Sequence, residues 1–320
     1  MRCSINNFRN LSIIVIATGF VFTGCNTSKK SVLNESFADA FKSVDVSVND
    51  RFLSGGPESL SELSQQTIRE TASLEKFAEL TKKNPKSILV DGNKMYVSDW
   101  VQRSLAVIDM STRKESVFVP AIDFVSDMTK DRNGNIVAGL FTGEQVVSID
   151  RLGKVVKLAG NLGKVSAVTV STLGEVYAAS FDRGIVYKLN KDITKEPEVV
   201  IDNLQNPAGL VFGNDGRLYV SQFSSSSESV LRYDIRVLTK EVFAIGITQA
   251  SKMVFVGAKL YVGGAESGRG VVWAYDNNGE GQVLVAGSFD DPIVGPIYDG
   301  KYLYIGSSSG GDKNIYRLSP

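Results

Sequence analysis

The sequence predicts an all-β protein, a six-bladed β-propeller with four-stranded antiparallel blades. Six short apolar runs recur along the chain, and each follows another apolar strand and a tight turn. The chain has 320 residues, which is more than one ordinary hydrophobic core holds, so an architecture that grows by repetition is expected. The central residues of the runs lie 41, 40, 42, 42 and 43 positions apart: Tyr96, Val137, Tyr177, Tyr219, Tyr261 and Tyr304.

Each repeat has the internal order of a propeller blade. An inner strand such as "GLVF" leads into a turn with Asn-Gly, Asp-Gly or Leu-Gly, where a hairpin requires positive φ. A second strand such as "RLYVSQF" follows, then a third such as "VLRYDIR" and, in five copies, a fourth such as "KEVFAIG". Four antiparallel strands in about 42 residues, repeated along one chain, are typical of propeller blades.

The sixth repeat ends at Pro320 after its third strand, so its outer strand must come from elsewhere. The segment "EKFAEL", Glu75 to Leu80, is similar to the fourth-strand sequence "EVFAIG". We therefore predict that this N-terminal strand completes blade six and closes the ring. The alternative is one helix through "ESLSELSQQTIRETASLEKFAEL", since its apolar residues allow a broken stripe. A helix over residues 58–71, ahead of the closing strand, is also compatible with the sequence.

The N-terminus has the organisation of an export signal. Arg2 and Arg9 precede the apolar run "LSIIVIATGFVF", which is too short for a comfortable membrane span, and "TGC" follows. The tail "FTGC" resembles the lipobox of bacterial lipoproteins, although Phe22 stands where that motif favours leucine. The resemblance implies lipidation of Cys25, with acyl chains that anchor the protein to a membrane. An ordinary secretory signal is the alternative.

The chain is thus predicted to comprise a lipoprotein signal peptide at 1–24, a tether with a possible short helix at 25–72, and a propeller at 73–320. Many Ser and Asn residues and a Gly-Gly-Pro break indicate the tether. In lipoproteins of Gram-negative bacteria, Asp directly after the cysteine commonly marks inner-membrane retention. Asn26 occupies that place, so the resemblance implies the bacterial cell envelope, and the outer membrane if the host has one.

Composition restricts the chemistry and the partners. Lys and Arg number 35, as do Asp and Glu, so no net field attracts nucleic acid, and we expect no nucleic-acid partner. The chain has no histidine, which removes the commonest general base and metal ligand. An active site would have to use carboxylates, lysine, tyrosine or hydroxyls. We expect a monomer whose partners are the membrane and a small polar ligand or an envelope protein.

The block "NPAGLVFGNDGRLYVSQ", which begins at Asn206, resembles the recurring unit of six-bladed propellers of the NHL-repeat and senescence-marker-protein/gluconolactonase type. The resemblance extends over residues 74–320. It implies that the loops before the innermost strands and after the second strands share one face, around the mouth of a central channel. Ligands are expected to bind there. Propellers of the antibiotic-lyase kind depend on histidine, which this chain lacks.

The gluconolactonase branch binds a divalent metal at this mouth through a Glu before Gly-Pro, an Asn in Pro-Asn-Gly-Leu, and an Asp before an inner strand. In this chain Val294 and Ala208 occupy the first two places, and Asp127 retains the third. A hard cation requires several oxygen ligands, so we expect no metal cofactor.

Two sets of residues form the candidate site at the mouth. Asp127 and Lys252 begin the inner strands of blades two and five, which face one another across the ring. They either polarise a small polar ligand or are solvated and neutralise one another through water. Trp100 and Phe223 can stack on a sugar or grip a peptide, or pack between blades. The loops after the second strands contribute Asp99, Trp100, Phe181, Asp182, Gln222, Phe223 and Glu266.

The predicted function is that of a non-catalytic module that binds a ligand or a protein at the envelope, with no cofactor. The alternative is a metal-dependent lactonase or other hydrolase of the gluconolactonase type, with a rearranged site around Asp127. That alternative implies calcium or another divalent cation.

Overall fold

Six four-stranded antiparallel sheets, one per blade, make up the described part of the chain. The computed structural model describes residues 74–81, 85–224, 228–266, 269–286, 293–307 and 314–320. In blades one to five the four strands follow one another in chain order across the sheet. The first strands of neighbouring blades contact one another, which places them around the central channel. The described residues contain no helix, and the predicted fold is confirmed.

The strand bounds follow the predicted repeats, one blade for each copy. Blades one to three consist of β2 (Pro85–Asp91), β3 (Lys94–Asp99), β4 (Ser104–Asp109), β5 (Glu115–Val119); β6 (Val125–Lys130), β7 (Ile136–Leu140), β8 (Gln145–Ile149), β9 (Val155–Ala159); β10 (Val165–Val170), β11 (Val176–Ser180), β12 (Ile185–Lys188) and β13 (Glu198–Ile201). Blades four to six consist of β14 (Pro207–Phe212), β15 (Leu218–Gln222), β16 (Glu228–Asp234), β17 (Thr239–Ile245); β18 (Met253–Val256), β19 (Lys259–Glu266), β20 (Arg269–Tyr275), β21 (Gly281–Ala286); β22 (Ile293–Tyr298), β23 (Leu303–Ser307), β24 (Asn314–Leu318) and β1 (Glu75–Glu79).

The turn between the first and second strands of each blade contains a glycine in the left-handed region. Its φ lies between 58° and 102° in all six blades. A side chain at such a φ would be strained, which is why Asn-Gly and Asp-Gly pairs mark these turns in the sequence. The six glycines are Gly92, Gly134, Gly174, Gly216, Gly257 and Gly300.

A buried aromatic position holds neighbouring strands together. The centre of the second strand is a tyrosine in five blades and Val137 in blade two, and all six side chains are buried. Tyr219 lies between Phe243 and Phe255, with its ring centroid 5.0 Å from each in edge-to-face geometry. Such pairs add to the stabilisation from area burial alone. The five tyrosines are Tyr96, Tyr177, Tyr219, Tyr261 and Tyr304.

The N-terminal strand β1 closes the ring by pairing antiparallel with β24. Glu75 lies opposite Arg317, and the two side chains form a bidentate pair at 2.8 and 2.9 Å. Phe77 is buried and packs edge-on against Tyr304, 5.0 Å between centroids. The closing strand is thus confirmed, and the helix alternative is wrong for Glu75–Glu79.

Several sequence predictions fall outside the described residues: the signal peptide at 1–24, the lipidated Cys25, the tether at 25–72 and its possible helix at 58–71. They stay predictions. Among the residues that are described, no helical segment has the length and hydropathy of a membrane span.

Candidate functional site at the channel mouth

A pocket of about 360 Å³ lies on the ring axis, and the innermost segment of every blade contributes to its wall. This volume is in the range of sites for small ligands. We call it the mouth pocket. Its wall consists of Lys86, Ser126, Asp127, Ser166, Ala208, Phe223, Ser251, Lys252, Ile293, Val294 and Gly295.

An ion pair crosses this pocket between blades two and five. The Lys252 ammonium donates to Asp127 Oδ1, and it also donates to Met128 O at 3.0 Å. The second oxygen of Asp127 accepts the backbone N–H of Val168 in blade three, at 3.0 Å. The side chains are 8% exposed for Asp127 and 17% for Lys252. The two charges predicted to face one another therefore meet directly, and both carboxylate oxygens are already engaged.

Serine hydroxyls next to this pair tie neighbouring blades together. Ser126 Oγ lies 2.5 Å from Val165 O, and Ser166 Oγ lies 2.5 Å from Pro207 O. Ser251 Oγ lies 3.1 Å from Ile293 O of the following blade. In each case the hydroxyl at the start of one inner strand meets a carbonyl of the next, so the hydroxyl proton is directed at the protein. The hydroxyl oxygens can still accept hydrogen bonds from a ligand.

Four aromatic side chains, one from each of blades one to four, form a continuous arc beside the mouth pocket. They are Trp100, Phe141, Phe181 and Phe223, each directly after the second strand of its blade, and we call them the aromatic arc. Successive ring centroids are 5.5, 5.9 and 6.1 Å apart. All four side chains are half-buried, and Phe223 also lines the pocket. The aromatic arc is thus continuous with the mouth pocket through Phe223.

Neighbouring groups contact the rings of the aromatic arc on several sides. Trp100 Nε1 donates to Val125 O at 2.7 Å, and Phe124 lies edge-on to Trp100 with 5.3 Å between centroids. Lys86 lies 5.7 Å from the Trp100 centroid, and Lys164 lies 5.8 Å from that of Phe141, which are cation–π distances. Packing between blades and exposure to solvent therefore coexist at these rings.

Two other predicted residues, Asp99 and Gln222, serve the local structure of the blades. Asp99 is buried and accepts the backbone N–H of Gln102 at 2.9 Å. Gln222 is buried and bridges the chain, since its carbonyl accepts the Gln205 N–H at 2.8 Å and its amide donates to Glu228 O at 3.0 Å. Neither belongs to the wall of the mouth pocket.

Asp182 is an exposed residue that closes a turn of blade three. Its Oδ1 accepts the backbone N–H of Lys164 at 2.8 Å and the hydroxyl of Ser180 at 3.1 Å. Partial burial acts to raise the pKa of Asp182, but these hydrogen bonds outweigh it and the pKa lies below its ordinary value. Asp182 is thus an ionised structural carboxylate. The side chain of Glu266 lies outside the described part of the protein.

The described residues of the mouth do not offer the set of oxygen ligands that a divalent metal requires. Asp127, Ala208 and Val294, the three places that the sequence resemblance associates with metal, do converge on the mouth pocket. Two of them are apolar, and the oxygens of the third are bound to Lys252 and Val168. Among the described residues, no group of three or more His, Cys, Asp or Glu side chains is placed to hold a metal ion.

Sequence reasoning missed Phe141, Lys86 and the serines of the mouth. Phe141 occupies the same place after its second strand as Trp100 and Phe223, so the alignment of the repeats carried the signal. Lys86 and Ser126 are the second residues of the inner strands β2 and β6. A bulge at the start of these strands changes which side chains point into the channel, and the repeat pattern does not reveal it.

Solved structures share this fold at low sequence identity. A gluconolactonase from Xanthomonas campestris is 18% identical with a TM-score of 0.64, covering 78% of this chain and 89% of its own. A luciferin-regenerating enzyme is 16% identical with a TM-score of 0.60, covering 78% and 95%. A catalytically inactive virginiamycin B lyase from Staphylococcus aureus, solved with quinupristin, is 11% identical with a TM-score of 0.59, covering 78% and 99%. At these identities the likeness shows the fold.

Sequence comparison is silent about family. No protein-family model matches the chain, and no curated protein matches it. The structural neighbours nevertheless agree with the resemblance found in the repeats, since they include propellers of the gluconolactonase type.

Proposed function

We propose that the protein is a binding module that holds a small, polar, ring-bearing ligand at the channel mouth without transforming it. The observation that carries this proposal is the aromatic arc, whose four rings from successive blades lead into the mouth pocket. Aromatic faces stack on sugar or other ring surfaces, and hydroxyls and lysines within the pocket supply hydrogen bonds.

The chemistry of the mouth supports binding more than catalysis. Asp127 is buried and binds Lys252 and Val168, so each of its oxygens already accepts a hydrogen bond, and a role as base or metal ligand would compete with these partners. The hydroxyl protons of Ser126 and Ser166 are directed at backbone carbonyls, and the chain has no histidine to activate them.

Tryptophan fluorescence tests the proposal. The chain has two tryptophans, and a Trp273→Phe variant leaves Trp100 in the arc as the reporter. We expect saturable quenching or a spectral shift with a member of a panel of monosaccharides, sugar acids and sugar lactones. Phe181→Ala should weaken that binding about tenfold, whereas Phe118→Ala, in the outer strand of blade one, should leave it unchanged.

If no member of the panel perturbs Trp100, or if Phe181→Ala binds as tightly as the parent, the arc is packing between blades and the proposal fails. Melting temperatures of both variants are the control, because a variant that is merely unfolded would lose binding for a trivial reason.

A second candidate is a metal-dependent lactonase or hydrolase of the gluconolactonase type. The comparisons favour it over a non-catalytic role, since a gluconolactonase, a lyase and a luciferin-regenerating enzyme share the fold. Hydrolysis of glucono-1,5-lactone, followed by base uptake with added calcium, zinc or manganese, tests it. Metal-stimulated turnover that is abolished in Asp127→Ala would establish this candidate over the first. Its absence, together with no heat of metal binding, would exclude it.

We further propose that the protein is anchored at the bacterial cell envelope through lipidated Cys25, and at the outer membrane in a Gram-negative host. The lipobox-like "FTGC" supports the anchor, and Asn26 after the cysteine supports the outer membrane. Membrane association should be lost in Cys25→Ser, and maturation should be sensitive to globomycin. A Cys25→Ser protein that still fractionates with membranes would refute the lipid anchor.

A further inference from the structure

The side chain of Lys252 crosses from blade five to the inner strand of blade two. Its ammonium binds Asp127 Oδ1 and Met128 O, a carboxylate and a backbone carbonyl from adjacent residues. Both types of oxygen are ligands that hard cations prefer in proteins. The ammonium therefore occupies a small cation site that belongs to a different blade.

The described part of the remaining wall favours an ammonium over a divalent metal at this position. Ala208 and Val294 contribute no oxygen from their side chains, so a divalent ion would keep too few protein ligands. An ammonium has three N–H donors that need acceptors. That of Lys252 is covalently attached to the protein. Asp127 and Met128 accept two of these donors.

We propose that Lys252 is the resident cation of the mouth pocket, supplying covalently the positive charge that a bound metal would otherwise supply. The third donor of its ammonium then binds an oxygen of the ligand, a carboxylate or carbonyl oxygen by its chemistry. This role in recognition deepens the proposed binding function and rests on it. The occupation of the cation site by Lys252 is independent of it.

Chemical rescue tests the occupation of the site without any ligand. Lys252→Ala leaves the mostly buried Asp127 without its counter-ion, so the melting temperature of the variant should fall by about 5 °C or more. Ethylammonium should raise it again in proportion to concentration, because the small amine binds the vacated site in the folded state. The double variant Asp127→Ala/Lys252→Ala should not respond to ethylammonium, which separates binding at this site from a general salt effect.

Two results would overturn the inference. The first is stoichiometric binding of calcium, zinc or manganese to the unsubstituted protein that is lost in Asp127→Asn, since a metal would then displace Lys252. The second is a Lys252→Ala melting temperature that matches the parent or does not respond to ethylammonium. Should Lys252→Ala fail to fold, Lys252→Met keeps the apolar stem and vacates only the position of the ammonium, so its folding in ammonium chloride but not in sodium chloride provides the same test.

The contribution to ligand binding is read separately. With a ligand that perturbs Trp100, Lys252→Met should bind anionic members of the panel at least about tenfold more weakly and neutral members nearly as before. Equal weakening of both kinds would overturn the proposed contact with a ligand oxygen. If no ligand is found but ethylammonium still raises the melting temperature of Lys252→Ala, the proposed binding function is refuted. The occupation of the cation site by Lys252 is then still supported.

Discussion

Two positions of the blade repeat differ in which residues occupy them from blade to blade. They lie four residues apart, one at the centre of the second strand and the other near its end. The central position of the second strand is buried in all six blades and is a tyrosine in five. The position four residues later is a half-buried aromatic in blades one to four, but Ala265 in blade five. A buried side chain recurs at the central position because every blade needs one there for its packing. The second breaks the repeat, and such departures from symmetry are where a repeated fold acquires a site.

The difference in burial can be measured as stability. Tyr177→Ala should lower the free energy of unfolding by about 3–5 kcal/mol, because the buried ring packs on Phe212 with 5.2 Å between centroids. Phe181→Ala, four residues later, should cost about 1 kcal/mol, since its ring is half-exposed. Urea titration of both variants makes the comparison. Equal losses would mean that the aromatic arc is core and not surface.

Alkaline pH should act on the repeated position. Burial raises the pKa of all five tyrosines above the ordinary value of 10.0. A raised pKa in the folded state means that their contribution to stability is complete below pH 10 and is lost as the pH rises above it. The urea midpoint should therefore fall above pH 10, and phenolate absorbance at 295 nm should appear together with unfolding.

Tyr177→Phe is the matched variant, because it keeps the ring and removes the ionisable group. Its urea midpoint should fall less steeply with pH than that of the parent, whereas Tyr302→Phe at a half-buried position serves as control. Phenolate absorbance that develops fully in the folded protein would contradict the prediction.

The serines of the mouth should have a moderate effect. Ser166→Ala removes the hydroxyl that lies 2.5 Å from Pro207 O in the next blade and should cost about 1 kcal/mol. Ala208 holds the corresponding place in blade four, so that blade already lacks this bond. A denaturation midpoint unchanged by Ser166→Ala would show that water replaces the hydroxyl at no cost.

The smallest effect is expected at Glu175, which lies beside the hydroxyl of Tyr177. Glu175 binds the Lys188 ammonium at 2.6 Å and accepts the Tyr177 hydroxyl at 3.1 Å. The bond from Lys188, more than the opposing effect of burial, lowers the pKa of Glu175 from its ordinary 4.5. A lowered pKa means that the stabilisation is present above pH 4.5 and is lost as the pH falls below it.

Glu175→Gln should therefore lower stability by about 0.5 kcal/mol at pH 7 and have a smaller effect at pH 3, measured by urea titration at each pH. A deficit of the same size at both pH values would show that the charge of Glu175 is not what stabilises the fold.

The fold was predictable because its determinants repeat. The turn glycines and the apolar strands recur six times and the central tyrosine five times, so each copy supports the interpretation of the others. The closing strand also followed, since Phe77 and Ala78 match the buried pair Phe243 and Ala244 of a fourth strand.

The site was predictable in part, because its residues occur once. The opposition of blades two and five indicated from the sequence that Asp127 and Lys252 face one another, but their direct contact depends on the reach of a lysine across the channel. Asp99 and Gln222 look like ligand-binding groups in the sequence and instead satisfy backbone atoms. Polar residues at strand ends serve both purposes, and their spacing does not distinguish them.

Strand β1 is among the first parts of the propeller to be synthesised, and its partner β24 is the last, with a sequence separation of 242 between Glu75 and Arg317. Contacts of such long range form slowly, so blade six should be the last to assemble. A ring whose ends meet in one sheet can also be opened elsewhere, since joining the two ends and cutting another loop preserves every strand pair. The position at which the chain enters the propeller could then be moved around the rim without a change in any blade.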